Sequence, residues 1–529
     1  MQTVSETFAG TITVNRQMRL ALPRMAMSLL IMSYLVADGV LISRFVGTTA
    51  LSALSMSYPL TALLIAAGFM IAAGGGAVAA RALGAQKHEE ALRAFSTALT
   101  TNIMLGLTLG LLAWFGLDWV FELLGISPEQ TEFARDYQRV LLPATPLFLA
   151  AATFEVFYTT SGRPKAGLAA SAASGITNVV FDILFMGPLD MGMTGAAWAT
   201  ALSWLIGAAC GLWYFMREKS PLKLELHLPD LKLLRTAAGN GLQEFVSNLS
   251  YVVAIWLYNR VFISHLGTAG VAALTMCSFT VYTFNCVFHG FCAASSPILG
   301  FKVGAKEPHQ VRHVFLQSYA LAGLLSLASY LLTLPFARSV LGFFSNEGGE
   351  AFELAVESFP IYSLMILMLC SNMLSSSFFA AAGDGRSAAI LAFARTLIFP
   401  CIGILILPEL FGTAGLWMAS PATEAAALLL SCVMFFLSRR KFGLAEFDAP
   451  ALSQKIHFSE IASLPSAERM LVSTKTTKCR GRNVLPDRAG LSSKPVPFQA
   501  GVRTASSAFV FIHPCFKQAA DQTSIVQLG

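Results

Sequence analysis

The chain has 529 residues, of which 55% are hydrophobic and only 66 are charged. A soluble domain carries roughly 25% charged residues, and a mean hydropathy of +0.63 over this length means more apolar side chains than one aqueous core can enclose. The composition therefore excludes an ordinary soluble protein. It predicts an all-α polytopic membrane protein surrounded by a lipid bilayer.

Apolar runs follow one another from Met18 to Ser438. A bilayer-spanning helix needs roughly 20 mostly apolar residues, so twelve spans with short loops fit this stretch. The first run is too long for the core of a cleaved signal peptide, and we expect it to remain as the first span. Windows of about 19 residues place the spans at roughly 18–44, 51–80, 92–117, 137–160, 165–187, 192–215, 234–264, 270–301, 312–337, 355–381, 387–407 and 412–438.

The composition changes after Phe442. Charged side chains become more frequent, and Ser, Thr, Pro and Gln replace the runs of Leu, Ala and Phe. A segment this poor in apolar residues is expected to be disordered. The predicted units are therefore an N-terminus (1–17), a six-helix lobe (18–216), a connector (217–233), a second six-helix lobe (234–441) and a tail (442–529).

The charges predict the orientation. If the N-terminus is cytoplasmic, the inner connections hold seventeen Lys and Arg residues and the outer ones only five. This contrast follows the positive-inside rule and favours an even number of spans with both termini in the cytoplasm, as in a bacterial inner membrane. The five outer cations are Arg44, Arg135, Arg139, Arg260 and Arg338.

The two predicted lobes resemble each other in sequence. At one constant spacing along the chain, Gly47 matches Gly267, and Gly84 with Ala85 matches Gly304 with Ala305. Each copy contains six spans and so has the same orientation. The repeat predicts two lobes related by a pseudo-twofold axis along the membrane normal, enclosing a central cavity, as in parallel-repeat transporters.

Motifs that would indicate an enzyme or a pump are absent. The sequence has no GxxxxGK[ST], HExxH or GxSxG pattern, and the cysteines within apolar runs lack CxxC spacing. We therefore expect no cofactor or bound metal, and a transport energy that comes from an ion gradient. The net charge of +6 lies mostly in the tail, without a basic stripe with interleaved aromatic residues, so no nucleic-acid partner is expected. We expect the chain to function as a monomer.

Three predicted spans bring polar groups to one depth. Asp38 and Asp182 each lie 18 residues beyond the inner end of their span, about 27 Å outward, and Thr200 lies about 12 Å below the outer face. Asn178 precedes Asp182 by four residues and shares its helical face. Two carboxylates with an amide and a hydroxyl in a medium of low dielectric are expected to bind a proton or a small cation such as Na+. The alternative is a set of buried hydrogen bonds that only joins helices.

Other ionisable residues inside the spans are weaker candidates. Glu244 is a candidate for a cation or drug site in the second lobe, although a position near the inner end would let it reach water. Arg395 and Glu424 are predicted to form a structural pair between the last two spans. The roles of Glu155 and His289 stay open.

Five motifs in order resemble the MATE (multidrug and toxic compound extrusion) transporters, over about residues 15 to 440. The resemblance implies a cation-coupled antiporter that exports cationic, amphipathic compounds by alternating access. In the proton-coupled DinF-like branch the functional positions match Asp38, Asn178, Asp182 and Thr200. The motifs are ADGVLISRFVGTTALSAL from Ala37, SGRPKAG from Ser161, NVVFD from Asn178, GMTGAAWAT from Gly192 and GLWMASPATE from Gly415.

The sequence departs from the NorM-like, sodium-coupled members of the family. These have a Glu deep in the seventh span and an Asp on the tenth, whereas Glu244 is expected near the inner end and the tenth span, from Phe359 to Ala382, has no acidic residue. Two alternatives remain. A lipid-linked oligosaccharide flippase would present several cations to the cavity, and Arg395 is the only deep one expected here. A non-transporting receptor or scaffold would need neither the acidic cluster nor the repeat.

Overall fold

The computed structural model describes residues 7–217, 222–225, 227–342, 349–439 and 441–442. The predicted tail, apart from Phe442, and parts of the N-terminus and connector lie outside these ranges. The described residues form helices and connecting turns, with no strand among them. The first half contains α1 (Val14–Phe45), α2 (Thr48–Gly84), α3 (His88–Phe115), α4 (Leu117–Leu124), α5 (Pro128–Thr160), α6 (Pro164–Met186) and α7 (Gly192–Met216).

The second half repeats this order with two modified helices. A short 3-10 turn (Ser363–Met365) joins α11 to α12, and a π-helical turn (Ala394–Ile398) joins α13 to α14. The helices are α8 (Leu231–Gly304), α9 (Pro308–Thr333), α10 (Ala337–Leu341), α11 (Glu350–Tyr362), α12 (Ile366–Ala381), α13 (Gly385–Phe393), α14 (Phe399–Phe411) and α15 (Thr413–Ser438).

Eleven helical segments of the described chain are long and apolar enough to cross a membrane. The longest, α8, breaks at Gly267, whose backbone angles (φ 63°, ψ −159°) are not helical. An L-residue with a side chain rarely adopts such a positive φ. The break divides α8 into two arms, which are the seventh and eighth predicted spans. The prediction of twelve transmembrane helices in two six-helix lobes is therefore confirmed.

The backbone carries the internal repeat. Gly47, the counterpart of Gly267 in the first lobe, also has a positive φ and stands between the first and second spans. Gln86 and Lys306 are two of the three non-glycine residues with positive φ in the described chain, and they too occupy matching positions of the repeat. Both follow a Gly-Ala pair at the end of a long helix. The two halves therefore share their turns as well as their sequence motifs.

Each lobe has an aromatic cluster near the end of the bundle that contains Gly84, Thr160, Gly304 and Ala381, which we call the inner face. In the first lobe Phe95 packs against Phe157 and Phe215, with ring centroids 4.4 and 4.8 Å apart. In the second lobe Phe315 packs against Phe378 and Phe435, both at 4.9 Å. Phe95 matches Phe315 and Phe215 matches Phe435 at the repeat spacing. Buried aromatic rings thus fix the same end of both lobes.

The lobes contact each other through α2 and α8. A Cβ atom added to Gly74 would overlap the carbonyl oxygen of Ala237, and one added to Gly241 would overlap that of Met70. Only glycine permits main chains to approach this closely, as in small-residue contacts between membrane helices. The lobes are therefore closed against each other over their inner halves.

Candidate ion-coupling site

Two acidic residues meet where α1 packs against α6. Asp38 of α1 is 7% exposed and Asp182 of α6 is fully buried, with Asn178 buried one turn before it. The carboxyl groups of Asp38 and Asp182 are electrostatic neighbours. Because residues four positions apart lie on one face of a helix, Asn178 and Asp182 share a side of α6. The structure thus brings together three of the four residues that the depth argument selected.

Thr200 of α7 completes the group. The Asn178 side-chain amide donates a hydrogen bond to the Thr200 hydroxyl, with 3.4 Å between Nδ2 and Oγ1. Four buried oxygens at this site have no hydrogen-bond partner among the described residues: Oδ1 of Asp38, Oδ1 of Asn178 and both carboxylate oxygens of Asp182. A buried acceptor without a donor is costly. Protonation of a carboxylate, or a cation bound between these oxygens, would satisfy them.

Two tyrosines at this site were not selected from the sequence. Tyr137 of α5 is 5% exposed, and its hydroxyl lies in the field of both carboxylates and beside Thr200. Tyr34, one turn before Asp38 on α1, lies in the field of Asp38 and packs against Gly175. The i, i+4 spacing of Tyr34 and Asp38 was a usable signal. Tyr137 had none, because only tertiary packing brings α5 to the site.

Glu244 lies apart from this group, on the first arm of α8. It is partly buried, and it lies in the electrostatic field of Arg395 and of Arg24. These two arginines belong to different lobes, so Glu244 faces the interface between the lobes. Among the described residues, both arginines form their ion pairs with other carboxylates, Arg24 with Glu155 and Arg395 with Glu424, and not with Glu244.

Arg395 and Glu424 approach each other as the sequence predicted, with 3.5 Å between Nη1 and Oε1 and little exposure of either side chain. Arg395 lies on the π-helical turn between α13 and α14, a local widening that is frequent at functional positions. The Asn372 side chain donates to the Glu424 carboxylate at 2.6 Å. Glu424 therefore has two partners, one from each neighbouring helix.

The expectation that Arg395 is the only deep cation is wrong. Arg24 of α1 is 2% exposed, and its guanidinium lies 2.7 Å from the carboxylate of Glu155 on α5. His289 on the second arm of α8 lies in the field of Arg24. The predicted first span, 18–44, already includes Arg24, and helix α1 carries its side chain into the bundle against α5.

The sequence pattern of the MatE family matches residues 23–184 and 246–404. A multidrug export protein MepA of Staphylococcus saprophyticus is 23% identical over 433 residues, covering 80% of this chain and 94% of that protein. MepA of Staphylococcus aureus is also 23% identical, over 432 residues, with the same coverage of both chains.

Solved structures share the fold. A MATE protein in complex with MaL6 has a TM-score of 0.77 at 23% identity, covering 84% of this chain and 99% of that one. An outward-facing MATE transporter of the MOP superfamily has the same TM-score and identity and covers 83% of this chain and 98% of that one. A MOP superfamily transporter of Pyrococcus furiosus has a TM-score of 0.76 at 23% identity, covering 83% and 98%.

Twelve membrane helices in two repeated lobes, with acidic residues buried between helices, define a polytopic membrane transporter and not an enzyme. Because the matched segments cover more than half of its residues and both lobes, the chain belongs to the MatE family.

Proposed function

We propose that this protein is a cation-coupled antiporter that exports amphipathic, mostly cationic drugs and toxic compounds by alternating access. Its curated relatives are multidrug export proteins that it matches over 94% of their length. The observation that carries the proposal is the buried pair Asp38 and Asp182, whose oxygens include three without a protein partner. Such a pair binds a proton or a small cation reversibly, because two adjacent carboxylates in low dielectric resist ionising together.

Helix α1 connects this pair to the other lobe. Asp38 lies toward its outer end, and at its inner end the Gln17 side-chain amide donates to Ser295 and Ser318 at 3.0 and 2.8 Å. Gln317 donates to the Gln17 carbonyl oxygen at 2.7 Å. All three partners belong to the second lobe. A change in the charge of Asp38 that alters the packing of α1 on α6 would therefore act on the contact between the lobes.

The substrate space lies between the lobes. Tyr58 of α2 and Tyr251 and Tyr282 on the two arms of α8 are electrostatic neighbours, yet each is about half exposed. Since the inner halves of α2 and α8 are closed, the proposed substrate cleft would open toward the outer face, with these rings at its border. Tyrosine rings suit a flat organic cation, because they offer π faces to its charge.

The inner face is the cytoplasmic one in this proposal, because most Lys and Arg residues of the connections lie there. Both termini are then cytoplasmic, in the inner membrane of a bacterium. The transporter functions as a monomer, since each chain contains both lobes and the acidic pair. Its cargo is a small molecule, with H+ or Na+ as the coupling ion and no cofactor.

The flippase alternative has less support. A pyrophosphate headgroup would need cations that are free to bind it, and both deep arginines have carboxylate partners, Arg24 with Glu155 and Arg395 with Glu424. A receptor or scaffold would have no use for an acidic pair with unsatisfied oxygens. Dye efflux from cells, with and without an uncoupler, separates a receptor or scaffold from an exporter.

The test is drug flux in proteoliposomes under separate pH and Na+ gradients. Asp38→Asn and Asp182→Asn should each abolish gradient-driven export, because Asn keeps the size but cannot change its charge, and Thr200→Ala should be milder. Asp136→Asn, an exposed carboxylate next to Tyr137, is the matched control and should transport normally. Normal export by a well-inserted Asp38→Asn protein would refute the site. Where H+ is the coupling ion, added Na+ should compete with it for the same carboxylates.

A further inference from the structure

A cavity of about 450 Å³ lies at the inner face of the first lobe. Four cationic side chains line it: Arg19 of α1, Arg163 and Lys165 at the start of α6, and Arg217 at the end of α7. None of the described residues in its lining is acidic. Three separate elements thus bring positive charge to one space, and within the described part of the lining no carboxylate balances it.

The repeat shows how the same turn is neutralised in the other lobe. Gly162 and Gly383 occupy the same turn of the two lobes, one residue off the spacing of the other matched pairs, and both have a positive φ. The residue after Gly383 is Asp384, which accepts from the Ser387 main chain at 3.3 Å and pairs with Lys441 at 2.6 Å. The residue after Gly162 is Arg163, and no side chain caps the start of α6. The first lobe therefore has a cation where the second has its anion.

The cavity lies at the level of lipid headgroups. The Arg217 guanidinium lies 3.5 Å above the Trp213 ring, and Trp213 is 60% exposed at the end of a transmembrane helix. Exposed tryptophans in that position mark the interface between membrane and water. Leu212 and Met216 beside it are exposed as well. An anion in this cavity thus has apolar, lipid-facing surface next to it.

We propose that this cavity binds the phosphate headgroup of an anionic phospholipid from the inner leaflet. Arg163 and Lys165 at the start of α6 face the phosphate, and Arg19 and Arg217 flank it. Basic pockets between membrane helices bind such headgroups. Because Arg19 lies on α1, which also carries Asp38, the bound lipid contacts the helix on which the proposed coupling acts.

The repeat supplies a matched pair of variants for the test. Lys165→Gln with Arg217→Gln removes two charges from the cavity. Arg386→Gln with Arg439→Gln removes two from the inner face of the second lobe, where Arg386 corresponds to Lys165 and Arg439 stacks on Phe436 as Arg217 does on Trp213. Lys165→Arg with Arg217→Lys keeps the charge. Each full-length variant is purified in detergent.

Binding of phosphatidylglycerol is measured by native mass spectrometry and by the shift in melting temperature, with phosphatidylcholine and inorganic phosphate as parallel arms. We expect the first-lobe charge-removing variant to bind phosphatidylglycerol roughly 30-fold more weakly, with the second-lobe and charge-keeping variants close to wild type. Equal phosphatidylglycerol binding by all variants would overturn the proposal. So would stabilisation by inorganic phosphate equal to that by phosphatidylglycerol, which would indicate a soluble anion. Lipid binding is read without transport, so this result is independent of the proposed export function.

Discussion

Gly84 of the first lobe and Gly304 of the second make the same contact, each against the main chain of the other lobe. A Cβ on Gly84 would overlap the carbonyl oxygen of Phe301, and a Cβ on Gly304 would overlap that of Arg81. Arg81 and Phe301, like the two glycines, are separated by the repeat spacing. The pseudo-twofold axis therefore exchanges the two glycine contacts, and it passes between them at the inner face.

Replacing Gly84 with alanine should disfavour the inner-closed state. The added methyl group meets main-chain atoms that cannot rotate away, and overpacking of this kind costs about 1–3 kcal/mol. We expect greater labelling of a cysteine introduced at the inner end of α2 and slower export. Gly323→Ala is the matched control, since nothing lies within 4 Å of that position. Unchanged labelling of the Gly84→Ala protein would show that the lobes do not separate here.

The Arg24–Glu155 pair should behave as a buried ion pair. Arg24→Met alone leaves the Glu155 carboxylate without its partner, a change that costs about 3–5 kcal/mol in buried pairs. The double variant Arg24→Met with Glu155→Gln should recover much of this loss, because no uncompensated charge remains. Melting temperatures of the single and double variants in detergent measure the interaction between Arg24 and Glu155. Additive losses would mean that the two side chains do not interact.

The Asp384–Lys441 ion pair should make the stability of the folded protein depend on pH in the acid range. Partial burial opposes ionisation of Asp384, but hydrogen bonds from Lys441 and the Ser387 main chain outweigh it and lower the pKa of Asp384 below its ordinary value. Because the pKa of Asp384 is lower in the folded state, its ionised form stabilises that state at pH values above the unfolded-state pKa. This contribution is lost as the pH falls through the folded-state pKa. Because Lys441 is largely exposed, the effect should stay below about 1 kcal/mol. Below about pH 4, the melting temperature of the Asp384→Asn protein should depend less on pH than that of the wild type. Glu89 is an exposed i, i+4 partner of Arg93, and Glu89→Gln, the control, should leave the pH dependence unchanged.

Stopping the chain after Gly443 should leave transport nearly intact. Phe442, the last residue described, packs against Phe378 and Phe379 with ring centroids 5.5 and 5.9 Å apart, so this truncation keeps the contact. We expect insertion and efflux within about twofold of the full chain, equivalent to roughly 0.4 kcal/mol. Loss of efflux at normal membrane abundance would show that residues beyond Gly443 take part in gating or assembly.

Much of the fold could be predicted from the sequence because a bilayer imposes simple rules. Span length follows from membrane thickness, and the two lobes follow from residues repeated at a constant spacing. Depth along a helix is also a sequence property, since each residue adds a fixed rise. That is why Asp38, Asn178, Asp182 and Thr200 could be selected together.

Contacts between helices were decided only by the tertiary structure. Tyr137 reaches the acidic pair because α5 packs beside it, and Arg24 finds Glu155 because α1 and α5 meet inside the bundle. Depth in the membrane is only one of the coordinates that place a side chain. The rotation of its helix and the identity of the neighbouring helices fix the others. The sequence by itself determined the spans and the repeat. The packing of small residues such as Gly84 and Gly304 decided where the lobes close, because only the assembled bundle brings main chains that far apart in sequence into contact.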